Sequence, residues 1–192
     1  MKKILSMLLA LLMFSVLAVS AFADTATTAG TDTLGYIDFA SCRDVLGEAQ
    51  VDDAYNFMIV SSSDSLNLAR IMITFEDAGN NTDFNAVKAY IRNQYTAKDF
   101  DDDRYNYTNI VEEQVELGGL PAYKISAEKG DVYGFCDTCS YVSYALANSA
   151  GGFVHILLAA PKDWKNDDGT DFHPSIAELS AIIENTYTRT RP

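Results

Sequence analysis

The stretch Ser140–Ala160 decides the fold of this chain, and it reads SYVSYALANSAGGFVHILLAA. Two arms rich in β-branched and aromatic residues flank the turn-forming residues 148–152, which is the pattern of a β-hairpin. The second arm, Phe153–Ala160, is apolar at both odd and even positions. A strand with two apolar faces is covered on both of them. We therefore expect Phe153–Ala160 to be the central strand of a sheet with material packed on each face.

Four other segments alternate with the period of two that is typical of strands. The predicted strands are Tyr55–Ser61, Ala69–Phe75, Thr108–Leu117 and Leu120–Ala127. Gly118-Gly119 separates the last two and suits a two-residue hairpin turn, which needs positive φ. Tight turns between neighbouring strands predict a mainly antiparallel sheet.

Two segments change to a helical period, with apolar residues at i, i+3 and i+7. The first is Asn80–Tyr95, with Thr82 or Asp83 as its N-cap. The second is Pro174–Tyr187, with Pro174 in the first turn. The element order predicts an α+β fold, in which a mainly antiparallel sheet of about six strands is flanked by two helices as an α/β/α sandwich.

The N-terminus has the features of a secretory signal peptide. Two lysines precede an apolar run, and the segment ends Ala21-Phe22-Ala23, a small-x-small cleavage pattern. We predict a signal peptide at 1–23, a flexible leader at 24–33 and a single globular domain at 34–192, with a short helix at Cys42–Ala49. The chain is therefore expected to be secreted or extracytoplasmic, with no membrane span after signal removal.

The chain is strongly acidic, with 27 acidic and 14 basic residues and a net charge of −13. Loss of the two lysines in residues 1–23 makes the net charge −15. Such a chain repels phosphate backbones and anionic lipid surfaces. The expected partner is an unknown extracytoplasmic protein or a small ligand, and not a nucleic acid.

The order of elements resembles the PsbP-like α/β/α sandwich family of small extracytoplasmic domains. The resemblance covers about Tyr55–Arg189. It is carried by the turn Val115–Tyr123, the hairpin Tyr144–Leu158 and the closing helix that ends at Tyr187. The resemblance implies an accessory or binding module without chemistry of its own, although a fold does not fix a function.

Cys136 and Cys139 form a Cys-x-x-Cys motif, which is typical of a disulfide, a redox site or half of a zinc site. Ser140–Ala147 follows as a strand, so no helix N-terminus lowers a thiol pKa, and Asp137 disfavours a nearby thiolate. These features favour a structural disulfide over redox catalysis. Cys42 pairs with either cysteine or stays free, and it completes a zinc site only with a histidine.

An acidic cluster places Asp99, Asp101 and Asp103 at positions 1, 3 and 5 of a calcium loop. Arg104 and Ile110 occupy the places where an EF-hand needs Gly and Glu, so the EF-hand hypothesis fails. A looser calcium site and a plain surface loop both remain open.

Exposed aromatic residues are the candidates for ligand binding, since their rings stack on sugars and peptides. These candidates are Trp164, Tyr133, Tyr105 and Tyr107. His155 lies in the doubly apolar strand and is expected to be a hydrogen-bonded core residue. No Ser–His–Asp arrangement follows from the sequence.

Three functional hypotheses follow from these patterns. The first is an exported, non-catalytic domain that binds a partner or small ligand through loops near Trp164 and Tyr133, without a cofactor. The second is a thiol–disulfide or metal-binding protein that uses Cys136 and Cys139. The third is a hydrolase, which needs two carboxylates of the acidic loops to face one cleft.

Overall fold

The structure is a computed structural model. It describes residues 28–62, 68–76, 83–98, 102–131, 136–147 and 151–189, so the predicted signal peptide lies outside it. The strands in these ranges are β1 (Thr28–Thr31), β2 (Gly35–Asp38), β3 (Gln50–Asp52), β4 (Phe57–Ser61), β5 (Arg70–Glu76), β6 (Thr108–Leu117), β7 (Leu120–Lys129), β8 (Cys139–Ala147) and β9 (Phe153–Pro161). The α-helices in these ranges are α1 (Phe84–Thr96) and α2 (Ile176–Thr186).

Seven strands form one antiparallel sheet in the order β3-β4-β5-β9-β8-β7-β6. Strand β9 lies in the middle, between β5 and β8, which confirms its prediction as the central strand. The α+β prediction is also confirmed. The sheet has seven strands instead of about six, because the short segment β3 pairs with the outer side of β4.

The two faces of β9 belong to two different cores. Val154, Ile156 and Leu158 pack in the larger core with residues of α2. Phe153 packs in the smaller core with residues of α1. The sheet therefore separates two apolar cores, each closed by one amphipathic helix.

Both helices begin at a side-chain cap. The Asp83 carboxylate accepts the Asn85 N–H before α1, as predicted for one of the two candidate caps. Ser175 caps α2 and forms a capping box with Glu178. Pro174 was predicted in the first turn, but it precedes this cap, because Ser175 supplies the N-terminal hydrogen bond.

The segment before β3 differs from its prediction. Thr28–Thr31, placed in the flexible leader by the sequence, pairs with Gly35–Asp38 as a second, two-stranded sheet. The predicted helix Cys42–Ala49 is not formed, and a 3₁₀ turn at Ala40–Cys42 takes its place. The reason is that this backbone bonds elsewhere, since Gly47 donates its N–H to Ser61 O of β4.

Candidate functional site

The sheet face beside α1 is covered unevenly. Helix α1 packs mainly on β8 and β7. On the α1 face of β4 and β5 the apolar side chains are only half-buried, namely Phe57, Ile59 and Met72. On β9 the same holds for Leu157 alone, because Phe153, His155 and Ala159 on that face are buried. Their neighbours on the α2 face of the same strands are fully buried, namely Met58, Val60, Ile71, Ile73, Ile156 and Leu158. We call the half-buried set the open face.

A pocket of about 380 Å³ lies at one end of the open face. Its lining residues are Asp52, Tyr55, Phe57, Thr74, Phe75 and Glu76. Asp52, Phe57 and Thr74 are direct cross-strand partners on β3, β4 and β5, so their side chains share one face of the sheet.

The turn between β3 and β4 positions the most exposed ring of the pocket. Asp52 Oδ1 accepts the N–H groups of Ala54 and Tyr55 at 3.0 and 3.3 Å. Asn56 has a φ of 47°, a conformation that Asn tolerates well, and its carbonyl accepts the Phe75 N–H. The turn thus holds Tyr55 at the pocket rim with 80% of its surface exposed.

A chain of polar side chains runs from this pocket under α1. Glu76 Oε1 lies 3.2 Å from His155 Nδ1, and His155 Nε2 lies 2.9 Å from Ser143 Oγ. Ser143 Oγ lies 2.6 Å from Tyr95 OH. Tyr90 of α1 also interacts with Glu76 electrostatically. We call these five residues the polar chain, and they connect α1 with β5, β9 and β8.

The electrostatics of the polar chain favour an ionised glutamate. The hydrogen bond from His155 lowers the pKa of Glu76 below its usual value, although partial burial opposes this effect. The hydrogen bond to Glu76 raises the pKa of Tyr90. Burial raises the pKa of Tyr95, which keeps its hydroxyl protonated as a donor.

The order Ser143–His155–Glu76 matches the connectivity of a serine-hydrolase triad. The sequence did not predict it, because the three residues come from separate strands and share one sheet face only in the folded register. Ser143 is fully buried and its oxygen also contacts Tyr95. A substrate therefore cannot reach this hydroxyl, and the arrangement as it stands is a structural network.

The three cysteines are free thiols in the structure, so the predicted Cys136–Cys139 disulfide is not seen. The Sγ atoms of Cys136 and Cys139 nevertheless lie 2.6 Å apart. Burial is the main cause that raises the pKa of both thiols, which disfavours the reactive thiolate. Cys42 packs against the larger core, whereas Cys139 begins β8.

No group of three or more His, Cys, Asp or Glu within the described ranges is arranged to hold a metal ion. The zinc hypothesis needed Cys42, Cys136 and Cys139 with a histidine, and no such group is found among the described residues. Metal binding by these residues stays a prediction. Asp99 and Asp101 lie outside the described residues. Asp103 forms an exposed ion pair with Lys98 at 3.5 Å. The calcium site therefore stays a prediction.

The described aromatic candidates from the sequence, Trp164, Tyr105 and Tyr107, are not among the lining residues of the pocket. Tyr107 packs against Tyr95 and Tyr141, with ring centroids 4.5 and 5.4 Å apart. Tyr105 lies under the Arg104 guanidinium, and Tyr133 lies outside the described residues. The backbone carbonyl of Trp164 accepts the Phe172 N–H, which closes its loop. Ligand binding at these residues stays a prediction.

Comparison with known proteins gives no family for this chain. No family model matches it, and no curated protein is significantly similar to it. In the part of the chain that the structure covers, no helix is both long enough and apolar enough to cross a bilayer.

Proposed function

We propose that this chain is an exported, non-catalytic binding domain whose pocket at Tyr55 takes a small ligand. The observation that supports this proposal is that neighbouring residues of the same strands differ in how deeply their apolar side chains are buried. Ile71 and Ile73 are fully buried, while Met72 between them stays half-exposed on the open face. Folding buries apolar side chains wherever it can, so an apolar face left open beside a pocket suits a ligand.

The side chains that could perform chemistry are unsuited to it, which supports a non-catalytic function. The lowered pKa of Glu76 makes it a poor general acid at neutral pH. Ser143 is buried beneath α1. The carboxylates at the pocket, Asp52 and Glu76, do not come from the acidic loops that the hydrolase hypothesis invoked.

Export is proposed from the sequence of residues 1–23. The resemblance to the PsbP-like family implies the same location, since that family is one of small extracytoplasmic domains. Both arguments are independent of the pocket, so a failure of the pocket proposal would leave the proposed location intact.

Ligand binding is tested with amide NMR spectra of the mature chain, recorded with mixtures of small polar, aromatic and charged compounds. We expect shift changes in the turn between β3 and β4 and at the end of β5, because a ligand in the pocket contacts residues such as Tyr55 and Glu76. Shift changes confined to the loops of Trp164 or Tyr105 would place binding elsewhere. An absence of any shifts at millimolar compound would contradict the proposed function.

A second proposal concerns the alternative function of Cys136 and Cys139. Their Sγ atoms are already in contact, so an oxidising compartment can link them without a large movement of the chain. Their raised pKa values argue against catalytic thiol exchange. We therefore propose that the pair serves as a structural disulfide in the exported protein.

Oxidation of the pair is expected to lower the mass of the intact protein by two hydrogen atoms and to stabilise it by about 2 kcal/mol, the loop-closure value for so short a loop. Mass spectrometry and urea unfolding with and without reductant measure both effects. The double variant Cys136→Ser, Cys139→Ser should lose both effects, whereas Cys42→Ser should keep them. A mass that shows three free thiols after secretion would contradict the disulfide.

A further inference from the structure

We infer that the pocket at Tyr55 binds a small organic cation, a compound with an ammonium or trimethylammonium group. The inference rests on the proposed function and names the ligand class of the same pocket. Its basis is the combination of the Tyr55 and Phe57 rings with two carboxylates that have no lysine or arginine partner among the described residues, because ring faces and negative charge both attract cations.

The pocket holds two carboxylates that differ in their partners from the carboxylates of the strongest ion pairs. Glu112, Glu128 and Glu184 each form an ion pair with a lysine or arginine, at 2.7, 2.7 and 2.8 Å. Among the described residues, no lysine or arginine forms an ion pair with Asp52 or Glu76, and Glu76 contacts only the ring of His155 in this way. The pocket therefore keeps negative charge that a ligand can neutralise.

Aromatic side chains supply the rest of the attraction. The rings of Tyr55 and Phe57 line the pocket, whereas the Phe75 ring packs on the opposite face of the sheet, against the larger core. Tyr55 makes no ring contact or hydrogen bond through its side chain within the described ranges, and it is 80% exposed. A cation placed between these rings is attracted by the negative faces of the rings, and its methyl groups cover apolar surface that is otherwise wet.

The same lining excludes a metal ion as the ligand. Calcium prefers six to eight oxygen ligands, whereas much of this wall consists of rings that cannot coordinate it. No cluster of three or more metal-ligating side chains occurs in the residues that the structure describes. The volume of about 380 Å³ lies within the usual range for small-molecule sites, so a free small molecule fits better than a protein segment.

The polar chain gives Glu76 a fixed place in this site. His155 bonds to its carboxylate at 3.2 Å, so its position is set before a ligand arrives. Preorganised charge lowers the cost of binding. Asp52 is fixed as well, through the two backbone N–H groups that it accepts.

The inference is tested with choline and with its neutral isostere, in which a tert-butyl group replaces the trimethylammonium group. In amide NMR titrations, choline should shift the signals of Tyr55, Phe57 and Glu76 with a Kd on the order of 1 mM, the range open to a ligand of so few atoms. The neutral isostere should shift them far less, because it fills the same volume without the charge.

Matched variants test whether the Asp52 carboxylate and the Tyr55 ring bind choline. Asp52→Asn keeps an oxygen for the turn and should weaken choline binding by about fivefold, whereas Asp53→Asn, an exposed neighbour, should change it by less than about twofold. Tyr55→Ala should weaken binding, and Tyr105→Ala should not. Equal losses in Asp52→Asn and Asp53→Asn would indicate a general charge effect and overturn the inference.

The outcomes separate the inference from the proposed function. If choline and the neutral isostere bind equally at the pocket, the cation inference is overturned while the binding function stands. If neither probe shifts the pocket signals, the cation inference is also overturned, and the compound mixtures described above decide the binding function separately.

Discussion

Ser143→Ala should lower the free energy of unfolding by about 3 kcal/mol, because it leaves two buried polar groups without their partner. Ser143 Oγ bridges His155 Nε2 and Tyr95 OH at 2.9 and 2.6 Å. Both residues are buried, so water cannot replace the lost hydroxyl. The effect is large for a change of one oxygen atom, and urea unfolding of the mature chain measures it.

Tyr95→Phe is the matched control for this prediction. It removes only the terminal hydroxyl and leaves the Ser143–His155 bond in place, so we expect a cost of about 1 kcal/mol. A Ser143→Ala variant that unfolds within about 0.5 kcal/mol of the wild-type protein would show that the polar chain contributes little to stability. That result would also mean that the polar chain does not hold Glu76 in place for a cationic ligand.

Ile156→Ala should destabilise the protein by about 4 kcal/mol, within the range for large-to-small changes in a packed core. Ile156 is fully buried at the middle of the central strand. It pairs with Ile73 on one side and Tyr144 on the other. The neighbouring strands fix these side chains, so the cavity cannot collapse, and thermal or urea unfolding reports the loss.

Leu157→Ala is the matched variant on the next residue. Leu157 belongs to the open face and is half-buried, so its truncation should cost about 1 kcal/mol. Equal costs for Ile156→Ala and Leu157→Ala would mean that the open face is covered in solution. A covered face would contradict the binding surface proposed here.

The sequence predicted the strands and helices best where the apolar pattern was long and regular. Thr108–Leu117 has the predicted bounds, and Phe153–Pro161 is the central strand because both of its alternating faces are apolar. Prediction failed for Cys42–Ala49, where a weak local helix preference lost to hydrogen bonds with β4. Local propensity decides such a segment only when no neighbouring strand offers its backbone partners.

The sequence did not predict the candidate site either, and the reason is a different one. Asp52, Phe57 and Thr74 lie on three strands, and only the register of β3, β4 and β5 brings them to one face. Ser143 and His155 gave no motif either, since their contact depends on the register of β8 with β9. The sequence instead drew attention to Trp164 and Tyr105, whose residue type suits ligands but whose surroundings a sequence does not describe.

For this protein, the linear pattern of apolar residues determined both helices, six strands of the large sheet, their antiparallel pairing and the position of the central strand. Composition determined the strong negative charge, and the first residues predict export. Tertiary structure alone decided that α1 covers only part of its face of the sheet, and that Asp52 and Glu76 meet the rings of Tyr55 and Phe57 with no lysine or arginine partner in the part of the chain that the structure describes. The physical reason is that burial and charge neutralisation depend on neighbours in space, which strand register and helix packing set and which spacing along the chain does not specify.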